Sequence, residues 1–379
     1  MNRLAILGST GSIGTSCLDV VRHRPGDFSV AALVAGSSAD VLRQQADEFS
    51  PSVAALAAPP EDDAGRASWP CEFVAGDEAI DAIVSGDDVD TVVAAIVGVA
   101  GLRSTLAAVE AGKRVALANK EAMVVAGPLV NAAAKASGAT IVPVDSEHSA
   151  LLQAIAAGGR DRVSRVILTA SGGAFRGWPA EDLAAITPEQ ARQHPNWSMG
   201  EKITVDSATL MNKALEVIEA AWLFDLPPEQ IDVVVHPQSI VHGLVEFVDG
   251  SVVAQLSPPD MRLPIQLALT WPDRVDCPIP RLDLATVGSL TFEPPDLERF
   301  PALRLAYDVL AAGGTAGAVL NAANEAAVAR FLAGELQFPQ IARLCETVLA
   351  AHTHDRSPDL PELMRQDRWA RTEAARWTA

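Results

Sequence analysis

The chain has 379 residues, 49% of them hydrophobic, and a formal net charge of −19. That length exceeds what one hydrophobic core usually serves, so two or three domains are expected. The acidic excess excludes attraction to nucleic acid or to an anionic membrane through the general field, and leaves an anionic substrate to a few local cations such as Lys120, Lys202 and Lys213.

The first third alternates strand-like and helix-like runs. Strands are expected at Leu4–Leu7, Phe28–Ala35, Ser52–Ala57, Thr91–Ile96, Arg114–Ala118 and Thr140–Val144. Helical spacing lies between them at Ser12–Arg22, Ala39–Phe49, Leu102–Ala111 and Lys120–Ala136. Several strands are continuously apolar, as both faces of a parallel sheet require when helices cover them. Pro59–Gly76, with Pro-Pro and Asp-Asp, reads as a surface loop. The expectation is a doubly wound, Rossmann-like dinucleotide domain over residues 1–143.

Directly after the first strand stands Gly8-Ser9-Thr10-Gly11-Ser12-Ile13-Gly14. Strand, glycine turn and helix in that order suit a pyrophosphate, because glycines let backbone N–H groups approach it at the positive end of the helix. A glycine trio alone serves tight turns equally well; the strand–helix alternation that follows favours the nucleotide.

The pattern then changes. Arg162–Ala170 reads as a strand leading into Ser171-Gly172-Gly173, followed by a long polar stretch to about Gly200 with no regular structure, expected as a mobile lid over about 171–201. Ile231–Val235, His242–Phe247 and Ser251–Leu256 read as strands, the last two joined through Asp249-Gly250. Residues 144–272 thus form an α+β catalytic domain, 273–301 a Pro- and Asp-rich linker, and 302–379 a small helical bundle with helices at Leu303–Ala312, Gly317–Leu332, Phe338–Ala351 and Pro361–Thr378.

Chemistry concentrates in two places. Asp145-Ser146-Glu147 follows a strand, so alternation turns both carboxylates to one face. Ser207–Glu216 reads as one helix with Asn212, Lys213 and Glu216 on one side and Met211, Leu215, Ile218 and Trp222 as an apolar stripe. Three carboxylates that converge suit Mg²⁺ or Mn²⁺, and Ser, Asn and Lys beside them suit a phosphate. Taken singly, each carboxylate reads as a cap or a solvated charge. Among the histidines, His23, His352 and His354 read as exposed, His236 as structural and His148 as supporting. The four scattered cysteines read as reduced thiols of a cytosolic protein. Met1 stands too close to the first strand for a signal peptide, and Val92–Leu102 is too short to span a bilayer, so a cytoplasmic location is expected.

These motifs, with Ala118-Asn119-Lys120-Glu121, Pro143–His148, His194–Gly200 and Leu320-Asn321-Ala322-Ala323-Asn324-Glu325, closely resemble the 1-deoxy-D-xylulose 5-phosphate reductoisomerase family over nearly the whole chain. The resemblance implies retro-aldol and aldol rearrangement of a sugar phosphate, reduction by NADPH to 2-C-methyl-D-erythritol 4-phosphate, a requirement for Mg²⁺, Mn²⁺ or Co²⁺, and a homodimer. It implies Asp145, Glu147 and Glu216 as metal ligands and, with Lys120, as catalytic residues. The substrate falls to Ser146, Glu147, Ser171, His194, Trp197, Met199, Ser207, Asn212, Lys213 and Glu216. The cofactor falls to Thr10, Gly11, Ser12, Ile13, Gly36, Ser37, Ser38, Asn119, Lys120, Glu121 and Gly200. In one place the sequence departs from the family pattern. The loop after the second strand reads Ser37-Ser38-Ala39-Asp40, without the usual basic or amide side chain, and Arg43 one turn on offers a substitute cation. The same features would also serve another metal-assisted NADP oxidoreductase, such as one decarboxylating a hydroxy acid; a dinucleotide sensor would need no carboxylate cluster.

Overall fold

The computed structural model describes residues 1–58, 69–197 and 199–378. Part of the loop expected over Pro59–Gly76, and Ser198 of the expected lid, lie outside the described residues. The chain divides into two compact units: Met1–Ala122 with Val130–Ser149 and Asp260–Pro280, and Met123–Leu129 with Ala150–Pro259 and Arg281–Ala379.

The first unit is built on seven parallel strands: β1 Asn2–Leu7, β2 Phe28–Ala35, β3 Val53–Leu56, β4 Glu72–Ala75, β5 Thr91–Ala94, β6 Arg114–Leu117 and β7 Thr140–Pro143. Their spatial order is β4-β3-β2-β1-β5-β6-β7. The chain winds outward from β1 in one direction, returns to β5 beside it and winds the other way. The reversal lies between β1 and β5, and open α/β sheets bind ligands beyond the carboxyl ends of strands at such a point. Leu4, Ile6, Leu33, Val92 and Leu117 are fully buried, which explains the continuously apolar runs. The expected doubly wound fold is therefore present. Two corrections apply. The stretch read as a surface loop contains β4, whose Glu72-Phe73-Val74-Ala75 is too short for its period to stand out against Pro and Gly neighbours. Second, the helix Arg262–Thr270, expected in the catalytic domain, belongs to this unit and packs on the helix Ser12–His23, because Ile265, Ala268 and Leu269 form a buried apolar face.

The second unit holds a four-stranded sheet in the order β11-β10-β8-β9, with β8 Val163–Ala170, β9 Ile231–Val235, β10 Val241–Phe247 and β11 Val252–Leu256. β10 runs antiparallel to both β8 and β11, whereas β8 and β9 are parallel. One continuous core joins this sheet to the helices Met211–Phe224, Ala302–Ala312, Ala316–Leu332 and Gln340–Ala351. The expected C-terminal helices are present and share this unit's core. Ala316–Leu332 shows why: Ala, Gly, Val and Asn are buried around nearly its whole circumference, and a helix without a polar face must be surrounded. Nor is 273–301 a plain linker, since Glu293 bridges antiparallel to Val235 at the end of β9.

Candidate active site

In the first unit the glycine turn closes β1 onto the helix Ser12–His23. Gly8 has φ +76°, and a Cβ on it would collide with the Ala95 carbonyl just past β5; a Cβ on Gly14 would collide with the backbone of Gly8 and Ser9. The turn is therefore wedged into the reversal point by its lack of side chains. Gln45 Nε2 donates to Ser9 O at 2.9 Å and fixes the loop from the next helix. No side chain caps the helix at Gly11, so its first turn presents backbone N–H groups at the positive end of the dipole. Gly11 and Ser12 are exposed, Thr10 and Ile13 half-buried, and Gly36, Ser37 and Ser38 lie exposed beyond the carboxyl end of β2.

Beyond β6, Asn119 caps the helix Lys120–Ser137 by accepting from Ala122 N at 2.7 Å, while its amide donates to Gly98 O at 2.8 Å and to Ile96 O. Its side chain is thus engaged in holding the loop after β5. Lys120 and Glu121 are buried, and Lys120 Nζ lies 2.6 Å from Asp145 Oδ2. The strand argument for Asp145 and Glu147 needs correcting. β7 ends at Pro143 and the helix Ser146–Gly158 begins three residues later, so Glu147 occupies a first helical turn and Asp145 directly precedes it. Carboxylates there are favoured by the helix dipole.

The second unit carries the phosphate-type residues. Ser171-Gly172-Gly173 leaves the carboxyl end of β8 with φ of +83° at Gly172 and +71° at Gly173. A Cβ on Gly173 would stand 2.7 Å from Ala208 Cα, so only glycine lets this turn press against the Ser207–Ala208 backbone. That approach brings the turn after Ser171 against the backbone of Ser207. His194 Nδ1 accepts from the backbone N–H of Asn196 at 3.1 Å and of Trp197 at 3.0 Å. In the neutral ring the proton then sits on Nε2, which lies 3.0 Å from Ser171 Oγ and donates to it. Ser171 Oγ also accepts from Gly173 N at 3.2 Å, so its own O–H is still available as a donor.

The expected single helix over Ser207–Glu216 is two helices, Glu201–Thr209 and Met211–Phe224, broken at Leu210 with φ +61°. Its helical formers hide the break, since nothing local marks a leucine for the left-handed region. Asn212 and Lys213 both donate to the Glu216 carboxylate. Lys213 and Glu216 are almost wholly buried, Asn212 half-buried. Lys202 pairs with the buried Asp206 at 2.8 Å, which makes it a structural cation rather than a general collector of anions.

The stretch expected to lack regular structure has some: a 3-10 turn at Ala180–Ala185 and the helix Pro188–Ala191, closed by a Thr187/Gln190 capping box. Phe175, Leu183, Ile186 and Ala191 are buried in the unit's core and anchor it. Near its end Asn196 Nδ2 donates to Pro237 O at 2.7 Å. Trp197 is already half-buried, edge-on to His242 with ring centroids 6.2 Å apart. Met199 is half-buried and Gly200 exposed. Of the histidines, His23 is exposed as expected, whereas His352 and His354 are half-buried, each with a ring nitrogen on a backbone carbonyl. His236 is fully buried, with Nδ1 2.8 Å from Thr291 O.

Residues 4–127 match the family described as 1-deoxy-D-xylulose 5-phosphate reductoisomerase, and residues 141–224 and 256–373 match its C-terminal domains. A relative of that name from Chlorobaculum tepidum is 53% identical over 381 residues, covering 99% of each chain. One from Gloeobacter violaceus is 51% identical, covering 100% of this chain and 97% of its own. The chain belongs to the 1-deoxy-D-xylulose 5-phosphate reductoisomerase family. A reductoisomerase crystal structure in complex with NADPH, fosmidomycin and magnesium superposes with a TM-score of 0.93 at 43% identity, covering 99% of this chain and 98% of that one. The enzyme from Zymomonas mobilis in complex with NADPH gives 0.92 at 43%, with the same coverage.

Within this reductoisomerase fold, Arg43 is committed in part elsewhere: its guanidinium lies over the Trp69 ring, 5.1 Å from the centroid, and 3.6 Å from Asp40. Sequence reasoning picked out Gly173 and Asn324 only within motifs and Asp206 only as a possible helix cap. A Gly-Gly pair after a strand was the one available signal for the first; nothing local pairs the other two. No helix among the described residues is long and apolar enough to cross a membrane.

Proposed function

We propose that this chain binds and converts 1-deoxy-D-xylulose 5-phosphate, with Asp145, Glu147, Glu216 and Lys120 as its catalytic set. The reaction isomerises the ketose by retro-aldol cleavage and aldol rejoining, then reduces the rearranged aldehyde to 2-C-methyl-D-erythritol 4-phosphate, a precursor of isoprenoids. The observation that carries this is full-length identity above one half to reductoisomerases.

The donor set fits a hard divalent ion. Asp145, Glu147 and Glu216 offer only oxygens, and in the protein alone Asp145 and Glu216 hold the ammonium groups of Lys120 and Lys213. When bound, Mg²⁺ or Mn²⁺ (or Co²⁺) supplies Lewis-acid polarisation of the ketose carbonyl and its neighbouring hydroxyl. NADPH supplies the hydride. Lys120 steadies charge on the reacting oxygens, and the Ser146 hydroxyl bonds a substrate hydroxyl. Ser171, Ser207, Asn212 and Lys213 take the phosphate; the Ser171 hydroxyl, already accepting twice, and the Gly173 approach support this. A buried lysine beside a buried glutamate also makes sense there, since each neutralises the other until ligands arrive. His194 orients Ser171, and Trp197 and Met199 cover the substrate while Gly200 provides backbone freedom.

Backbone N–H groups of Thr10, Gly11, Ser12 and Ile13 receive the pyrophosphate. Gly36, Ser37 and Ser38 meet the adenosine ribose with its 2′-phosphate, and Asn119, Lys120 and Glu121 line the nicotinamide side. The protein acts as a cytoplasmic homodimer. Four free thiols suit a reducing compartment, and Val248 and Val252, 73% and 49% exposed around the edge strand β11, suit coverage by a second copy.

The test is one assay with the ketose phosphate, Mn²⁺ and NADPH. Loss of NADPH absorbance that requires all three is expected. No loss, or turnover of a hydroxy acid with NADP⁺ instead, overturns the proposal.

A further inference from the structure

Asp206 is costly where it stands. It lies in the last turn of the Glu201–Thr209 helix, where the dipole disfavours a negative charge, and only 1% of it is exposed. An apolar residue there would avoid both penalties. The carboxylate is tied on two sides. Lys202 Nζ lies 2.8 Å from Oδ2, and Asn324 Nδ2, from the fully buried face of the Ala316–Leu332 helix, donates to Oδ1 at 2.9 Å. Cys345, on the Gln340–Ala351 helix, feels the same charge: burial pushes its thiol up first, and Asp206 adds to the shift. The carboxylate thus sits deep among three helices.

The next residue along is Ser207. The helix turns out of register at Leu210 immediately afterwards, with Thr209 Oγ1 folded back on Val205 O at 3.2 Å and Asp206 O at 3.1 Å. Beyond that turn the Met211 N–H donates to Thr209 Oγ1 at 3.3 Å, so the buried pair holds the last turn from the side opposite this junction. On the other side Ser207 and Ala208 meet Gly173 at a distance no Cβ would tolerate.

We propose that Asp206 and Asn324 are positioning residues for the substrate phosphate: their buried hydrogen bond fixes the rotation of this last turn and so the place of Ser207 against the Gly173 turn. The inference rests on Ser171 and Ser207 being phosphate ligands. The Ala316–Leu332 helix thereby shares in recognising the substrate through Asp206. A neutral amide suits the place, because a donor without charge satisfies the carboxylate while leaving Lys202 as its counter-ion in this set.

The experiment uses the full-length enzyme with NADPH and Mn²⁺. KM and kcat are measured for the ketose phosphate and for the dephosphorylated ketose, beside the melting temperature. Asn324→Leu removes the donor, and the double variant Asp206→Leu/Asn324→Leu replaces the pair by apolar residues, a change that such buried pairs often survive. Both should raise KM for the ketose phosphate about tenfold, the loss expected of one hydrogen bond to a charged group, with kcat and the dephosphorylated ketose far less affected. Asn324→Ser, keeping a shorter donor, should fall between, which preserves a graded readout where a Leu variant fails to fold. An unchanged preference for the phosphorylated compound in these variants, while Ser207→Ala abolishes it, overturns the inference alone. An unchanged preference in Ser207→Ala overturns the phosphate reading beneath it.

Discussion

The glycine turn of the first unit and the Ser171/Ser207 cradle of the second both suit phosphate groups, yet they are made in opposite ways. The turn is seven consecutive residues whose chemistry is backbone N–H at a helix N-terminus. The proposed cradle draws on residues 36 positions apart in the chain, as 207 − 171 gives, with one close approach at Gly173 and a buried pair behind Ser207. A contiguous backbone site tolerates changes in its neighbours; an assembled side-chain site depends on everything that sets the approach. The two should therefore fail independently.

The largest expected effect separates the two sites outright. Glu216→Gln should abolish turnover while the affinity for NADPH stays nearly unchanged, because the lost ligand weakens a Lewis-acid interaction worth several kcal/mol, about what a dead enzyme requires. Near-normal activity at low Mn²⁺ would remove Glu216 from the metal set. Next comes Lys213→Ala, which should raise KM for the phosphorylated substrate by roughly 1.5–3 kcal/mol of lost charge-assisted bonding and spare a dephosphorylated analogue. Equal losses for both compounds would mean that Lys213 serves only Glu216.

The glycines sharpen the contrast further. Gly173→Ala should cost about 1–2 kcal/mol from the left-handed backbone alone, with a further rise in KM for the ketose phosphate as the turn backs away from Ala208. Gly14→Ala should instead raise KM for NADPH. If either substitution moved both constants equally, as steady-state kinetics would reveal, the two sites would not be separable.

The smallest effect lies in the first unit, away from both sites. Arg3 grips Asp90 through its side chain and backbone N–H and holds the carboxyl down to about 2 from the usual 3.8. A depressed carboxylate contributes stability above its unfolded value and loses it as pH falls through the folded one. Asp90→Asn should therefore lower the melting temperature slightly at pH 5 and above, by under about 1 kcal/mol for so exposed a pair, with no difference left below about 2. Thermal melts across that range check it, and NADPH affinity should not change.

Much of the first unit was legible in advance. β2 runs from Phe28 to Ala35 as expected, and the other expected strands shift by no more than two residues at either end. Continuous apolar runs and glycine turns are local signals. β4 escaped because four residues carry too little pattern. In the second unit the strands were legible and the site's scaffold less so. The break at Leu210 is a left-handed residue with an ordinary helical side chain, and the anchored core of 175–191 lay inside a stretch too polar to look structured.

The sequence by itself determined the parallel sheet, the nucleotide turn, the residue types for cation and phosphate, and the family. All of these are written in spacings of a few residues, where backbone preference and side-chain period act directly. Tertiary structure alone decided that Glu147 belongs to a helix start, that the Gly173 turn presses on the Ser207–Ala208 backbone, and that Asp206 finds Asn324 across 118 residues. Burial turns such a distant pair into an energetic requirement, and burial is a property of the packed chain that no short stretch of it carries.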